Sequence, residues 1–156
     1  MLKKVNNHLI FEIVTHHLNH YLLVKKMLNI DYESHSILLT AYIHFLYNTN
    51  KNALLDWDQV FESTKDKSNF IQKKKLTIFA IAQILQSPKE TIRRKLNMLI
   101  KRNLLGFSTS NGVTLGSKFA EKIKPLGAKD MQSLSKMIRS IKDYDALDAL
   151  IDITKK

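Results

Sequence analysis

The 156-residue sequence contains no cysteine, only four glycines and only two prolines. Without cysteine, disulfides, thiolate-ligated zinc and thiol nucleophiles are all excluded, which fits a reducing compartment and makes the cytoplasm the expected location. Scarce glycine and proline, with 44% hydrophobic residues, describe a folded chain rather than a disordered one. Long apolar runs are missing too. No stretch of about 18 uncharged apolar residues is present to cross a bilayer, so no membrane partner is expected. Lys3 and Lys4 are not followed by the apolar segment and small-residue cleavage site of a leader peptide. There is no glycine-rich phosphate loop, no serine elbow and no plausible triad, so neither a catalytic site nor a cofactor is expected.

Helix formers dominate what is there. Residues 8–29 carry Ile10, Ile13, Val14, Leu18, Tyr21, Leu22 and Leu28 at spacings of three and four, the period of an amphipathic helix. Residues 29–33 break it. Residues 35–47 are apolar on almost every side, as a central buried helix should be, and 48–52 read as a loop. Asp56, with Gln59 three residues later, has the spacing of a capping box ahead of Trp57, Val60 and Phe61. The polar stretch 63–75 reads as an exposed loop or an irregular extension of that helix. Near the end, Met131, Leu134, Ile138 and Ile141 make one helical stripe, then Tyr144, Leu147 and Ile151 another. Either the helix restarts after Asp143 or its seam drifts around the axis.

Acidic side chains are the remaining scarcity: 14 against 25 Lys and Arg, for a net charge of +11. The excess is not evenly spread. Residues 1–64 total −1, residues 65–102 total +9 and residues 103–156 total +3. A block so concentrated is the footprint of a polyanion-binding element.

That block overlaps the most informative stretch, residues 76–116. Thr77 can cap a short helix that buries Ile78, Ile81, Ala82 and Leu85, with Gln86 and Ser87 as the turn. Ser87, Pro88 and Glu90 predict a second helix start, with Ser87 at the N-cap and Pro88 first in the helix. This helix, 88–102, buries Ile92, Leu96, Leu99 and Ile100. At about 100° per residue, Glu90, Thr91, Arg94, Asn97 and Lys101 turn away from that face, with Arg93 and Lys95 on its flanks. Residues 104–109 and 113–115 then flank Ser110-Asn111-Gly112, a strong hairpin signal. Helix, turn, helix, hairpin is the order of a winged helix.

The run QSPKETIRRKLNMLIKRNLL resembles the recognition helix and following turn of the Crp/Fnr transcription factors, and the whole unit is more distantly similar to MarR- and GntR-type winged helices. The resemblance covers about forty residues. It implies that Lys89, Glu90, Thr91 and Arg94 enter the major groove of double-stranded DNA. Lys89 stands where the family has Arg, and the family's effector-sensing β-roll has no counterpart in residues 1–75, so no effector ligand carries over. The chemistry agrees: Arg can donate two parallel hydrogen bonds to guanine, Glu can accept from cytosine N4, and Asn97 can pair with a base edge. Lys73, Lys74, Lys75, Ser87, Arg93, Lys101, Arg102 and Asn111 are assigned to phosphates.

The expected protein is therefore a mostly α single domain, 1–156. Helices within 1–50 serve the core and dimerisation, and a helix and basic loop follow in 51–75. A winged helix-turn-helix with a small β-hairpin wing occupies 76–116, and one or more C-terminal helices 128–154. Its expected role is transcription regulation as a homodimer. The same module also suits a plasmid or phage replication initiator or a nucleoid-associated protein. From another class, a winged helix adapted to protein or RNA contact stays open. His16 and His20 have the i, i+4 spacing of zinc ligands, but without an adjacent Glu or any Cys they point to partner contact or surface exposure, and no metal is expected. Asp143, Asp145, Asp148 and Asp152 read as a solvated face.

Overall fold

A computed structural model of the chain describes residues 7–49, 55–64 and 75–152, which are mostly helical with one small antiparallel sheet. They form two compact units that divide between Asn29 and Ile30 and between Lys124 and Pro125.

The first unit holds α1 (Asn7–Leu28), α6 (Phe119–Asp143) from Pro125 onward, and α7 (Leu147–Asp152). α1 forms where its periodicity placed it, but the buried face is a different one. Leu9, Val24 and Leu28 are buried, while Ile10, Val14, Leu18 and Leu22 are exposed. The side of α1 that meets α6 is polar. His8 Nε2 lies 3.2 Å from Ser140 Oγ, and that hydroxyl donates to Glu12 Oε1 at 2.8 Å. His16 Nδ1 is 3.3 Å from Ser133 Oγ, and His20 Nδ1 is 2.7 Å from Asp130 Oδ1. Positions 8, 12, 16 and 20 share one strip of a helix, so the four side chains form a continuous polar seam. His16 and His20 are thus each engaged by a side chain of α6 rather than free at the surface. Beside the seam, Leu9, Ile141 and Ala146 make a small core, with Ile13, Met137, Leu147 and Leu150 packed against it.

α6 starts at Phe119, nine residues before the expected 128, and runs through Pro125. Pro125 forgoes one backbone hydrogen bond, yet Phe119, Ile123 and Leu126 are all buried on the helix that continues through it. After Asp143 the helix does stop. Asp145 takes a left-handed conformation (φ 54°), and the Ala146 N–H closes back onto the Ile141 carbonyl at 3.0 Å. The stripe therefore restarts in α7 rather than drifting.

The second unit holds α2 (Tyr32–Thr49), α3 (Trp57–Ser63), α4 (Ile78–Ile84), α5 (Lys89–Lys101), β1 (Leu105–Ser108), β2 (Gly112–Leu115) and the opening turns of α6. Asp31 starts α2: its side chain accepts from the Ser34 N–H at 2.8 Å and its carbonyl from the His35 N–H at 3.0 Å. α2 buries Ile37, Leu38, Ala41 and Phe45 but leaves Leu39, Ile43 and Tyr47 exposed, so it is covered on one side only. α2 also runs two residues into the expected 48–52 loop, the rest of which lies outside the described residues. The capping box of α3 forms as its spacing predicted: the Asp56 carboxylate accepts from the Gln59 N–H at 2.8 Å, and Gln59 Oε1 accepts from the Asp56 N–H at 3.0 Å. Of the polar stretch 63–75, residues 65–74 lie outside the described residues.

Thr77 caps α4, its hydroxyl accepting from the Ala80 N–H at 3.1 Å. α4 and α5 both end as α6 does. Gln86 (φ 49°) and Asn103 (φ 58°) are left-handed, and the next N–H bonds back five residues, Ser87 to Ala82 and Leu104 to Leu99, each at 3.0 Å. In a glycine-poor chain, Gln, Asn and Asp fill positions that glycine takes at least cost.

β1 and β2 pair antiparallel, Leu105 opposite Leu115 and Phe107 opposite Val113, across a loop of residues 109–111. Gly112 is required there twice over. Its φ is +71°, and a Cβ would lie 2.4 Å from the Leu76 carbonyl oxygen. That close approach comes from a parallel bridge between Leu76 and Gly112, with the Val113 N–H donating to the Leu76 carbonyl at 2.8 Å. The residue just ahead of α4 is thereby tied to the hairpin that follows α5, which fixes α4, α5 and the hairpin as one block.

Candidate nucleic-acid interface

α5 is sharply two-sided. Ile92, Leu96 and Leu99 are completely buried, whereas Lys89, Glu90, Arg94, Asn97 and Lys101 are exposed. Thr91, grouped with them by sequence, is half-buried at the edge of that face. Among the described residues, neither Arg94 nor Lys101 has a carboxylate partner. Arg93 does: its Nη1 donates to Glu90 Oε2 at 2.8 Å, one turn away. Both side chains of that pair are about half exposed or more, so the attraction is weak and leaves each group available to a stronger partner.

The predicted helix start is displaced. Pro88, not Ser87, is the N-cap residue (φ −56°, ψ 135°), its carbonyl accepting from the Ile92 N–H at 3.1 Å, and no side chain caps the helix. The closing turn of α4 already uses the Ser87 backbone, and the Ser87 hydroxyl donates to Glu33 Oε1 at 2.5 Å. Ser87 therefore fastens the turn to α2 instead of capping α5 or offering its proton to a phosphate. Glu90 falls at the second helical position and closes no capping box.

Lys95, on the flank of α5, is engaged in the same way. Its Nζ lies 2.5 Å from Asp31 Oδ2 and 3.3 Å from Glu33 Oε2, with the side chain 14% exposed. The hydrogen bond that Lys95 donates to Asp31 raises the Lys95 pKa against the opposing effect of burial, with Glu33 adding to the rise. For Asp31, burial pushes the pKa up, but the bonds from Lys95 and the Ser34 backbone outweigh it and hold the carboxyl at about 2. Both groups are charged at neutral pH. Asp31 and Glu33 are the two site residues that sequence reasoning missed; they lie more than fifty residues from their partners, and no local spacing links them.

The remaining phosphate candidates fall in two further places. At the C-terminal end of α5, Lys101 and Arg102 are exposed. At the hairpin loop, Lys75 Nζ donates to the Thr109 carbonyl at 3.0 Å, and the exposed Asn111 is held by its N–H bond to Ser108 Oγ at 3.0 Å. Lys73 and Lys74 lie outside the described residues. Among the described residues no three His, Asp or Glu side chains are grouped to hold a metal ion, and no helix is long and apolar enough to cross a membrane. No protein-family model, no curated protein and no solved structure matches the chain, so the chemistry of this face is the guide to its role.

Proposed function

We propose that this protein binds double-stranded DNA through a winged helix-turn-helix, with α5 in the major groove and the β1–β2 hairpin as the wing. The observation that carries this reading is the two-sidedness of α5: one face is locked into the core by Ile92, Leu96 and Leu99, and the other offers Glu90, Arg94, Asn97 and Lys101 to solvent, with Lys89 exposed at the start of the helix. A helix held from behind can enter a groove about 12 Å wide without losing its own fold. Arg94 is suited to guanine O6 and N7, Asn97 to adenine N6 and N7, and Glu90 to cytosine N4. Lys89 acts as a point charge near the same edges. Arg93, Lys101, Arg102 and Lys75 supply sequence-independent attraction to phosphates. Such a protein serves most simply as a transcription regulator; a replication initiator or nucleoid protein would use the same contacts.

Titrating the full chain against labelled random-sequence duplex DNA tests the reading. Affinity should fall about a hundredfold or more between roughly 50 and 200 mM salt, because several phosphate contacts release condensed counterions. A binding constant that stays flat over that range removes DNA as the partner. Duplex RNA has a major groove too narrow for α5, so RNA binding as tight as DNA binding also overturns the proposal.

A further inference from the structure

α1 meets α6 through a polar seam beside a small apolar core, and keeps a further apolar stripe outside. The strip facing α6 carries His8, Glu12, His16 and His20, and the opposite strip carries Ile10, Phe11, Val14, Leu18 and Leu22. Those five apolar side chains are 50% to 62% exposed. At about 150–200 Å² for a large side chain, they leave roughly 400–500 Å² of apolar surface in one stripe, the upper range for a monomer. A polar seam kept inside and an apolar stripe kept outside is the pattern of a helix with a partner on its outer face.

We infer that this partner is a second copy of the same chain, paired α1 against α1 in antiparallel register about residue 16. The argument is the symmetry of the stripe. Reflected about position 16, Val14 meets Leu18, Ile10 meets Leu22, and Phe11 meets the half-buried Tyr21. The polar ends match as well, since the exposed Asn7 falls opposite the exposed Lys25. Each apolar position thus finds an apolar position, and each polar end a polar end, which is what a two-fold interface demands of one surface. Charge points the same way. Between Asn7 and Val24 the only ionic side chain other than histidine is Glu12, which is turned to Ser140. Between those bounds the face therefore carries no fixed positive charge to hold a nucleic acid or an anionic lipid surface, and in this pairing Lys25 meets Asn7 rather than its own image. The stripe supplies about half of the roughly 800 Å² per partner of a standard interface. The pairing does not depend on DNA binding.

Sedimentation of the wild-type chain alone, without DNA, is expected to give twice the 18.1 kDa chain mass at micromolar concentration. An 18 kDa species persisting to about 100 μM overturns the proposal. Leu18→Glu should give a monomer with unchanged helical circular dichroism, and a variant that remains dimeric also overturns it. Should Leu18→Glu fail to fold, register is read from milder changes in this cysteine-free chain. An oxidised mixture of Ile10→Cys and Leu22→Cys chains should cross-link to a covalent dimer. Ile10→Cys chains alone should not, since their two positions lie twelve residues apart along the paired helices, about 18 Å. Cross-linking of Ile10→Cys to itself, or none in the mixture, overturns the antiparallel pairing.

Discussion

The ammonium of Lys95 lies 2.5 Å from a carboxylate oxygen of Asp31, so one aspartate both starts α2 and fastens α5. The contact joins residues 64 apart in the chain and takes one lysine out of the cationic surface of α5.

Replacing Lys95 by Ala should therefore lower stability more than it lowers DNA affinity. The loss on urea unfolding should be about 0.5–1 kcal/mol, kept small because the Asp31 side chain is 57% exposed. Lys101→Ala should do the reverse. If Lys95→Ala weakens binding to random duplex as strongly as Lys101→Ala, Lys95 leaves Asp31 to meet phosphate.

The same contact predicts an acid limb in stability. The Asp31 carboxyl is held at about 2 in the folded chain against an ordinary 3.8, so the folded state favours its ionised form. Its contribution is complete above pH ~4 and is lost as pH falls toward 2. Urea midpoints between pH 5 and 2 should drop less steeply in Asp31→Asn than in the wild type. Parallel curves for the two proteins would place the acid limb elsewhere.

Arg94 and Lys101 should separate reading from attraction. Arg94→Ala is expected to cost on the order of 1–3 kcal/mol at a selected site and to relax preference at one base pair. Lys101→Ala should weaken selected and random DNA alike and reduce the salt slope by about one phosphate. Competition assays on both sequences decide it: an equal loss for Arg94→Ala on both means α5 does not read bases.

Two turn positions should respond with opposite signs. Gln86 pays a left-handed conformation that glycine adopts freely, so Gln86→Gly should stabilise by about 0.5–1 kcal/mol. Gly112 has φ +71° and no room beside the Leu76 carbonyl, so Gly112→Ala should destabilise by about 2 kcal/mol or more. Thermal melts of the two variants should move apart from the wild type in opposite directions.

What could be read from the chain itself was short-range. The Asp56–Gln59 capping box, the Thr77 cap, the turn at Gln86 and Ser87, and the hairpin around Gly112 each depend on residues within a few positions of one another. Their backbone geometry follows from local hydrogen bonding and allowed φ/ψ, and so did the outward set Glu90, Arg94, Asn97 and Lys101, because helical period alone orients them. Helix α6 defeated that logic at Pro125, where burial on either side outweighed a local breaker. Ser87 defeated it where Glu33, from α2, took the hydroxyl that a cap would have used. Periodicity likewise marked Ile10, Val14, Leu18 and Leu22 as one stripe of α1 without saying which way it faces. Only the tertiary structure decided that, because His8, Glu12, His16 and His20 find hydrogen-bond partners on α6 while Leu9 and Ile13 pack against it beside them. Sequence spacing sets which side chains share a face; the partners that face meets come from parts of the chain over a hundred residues away.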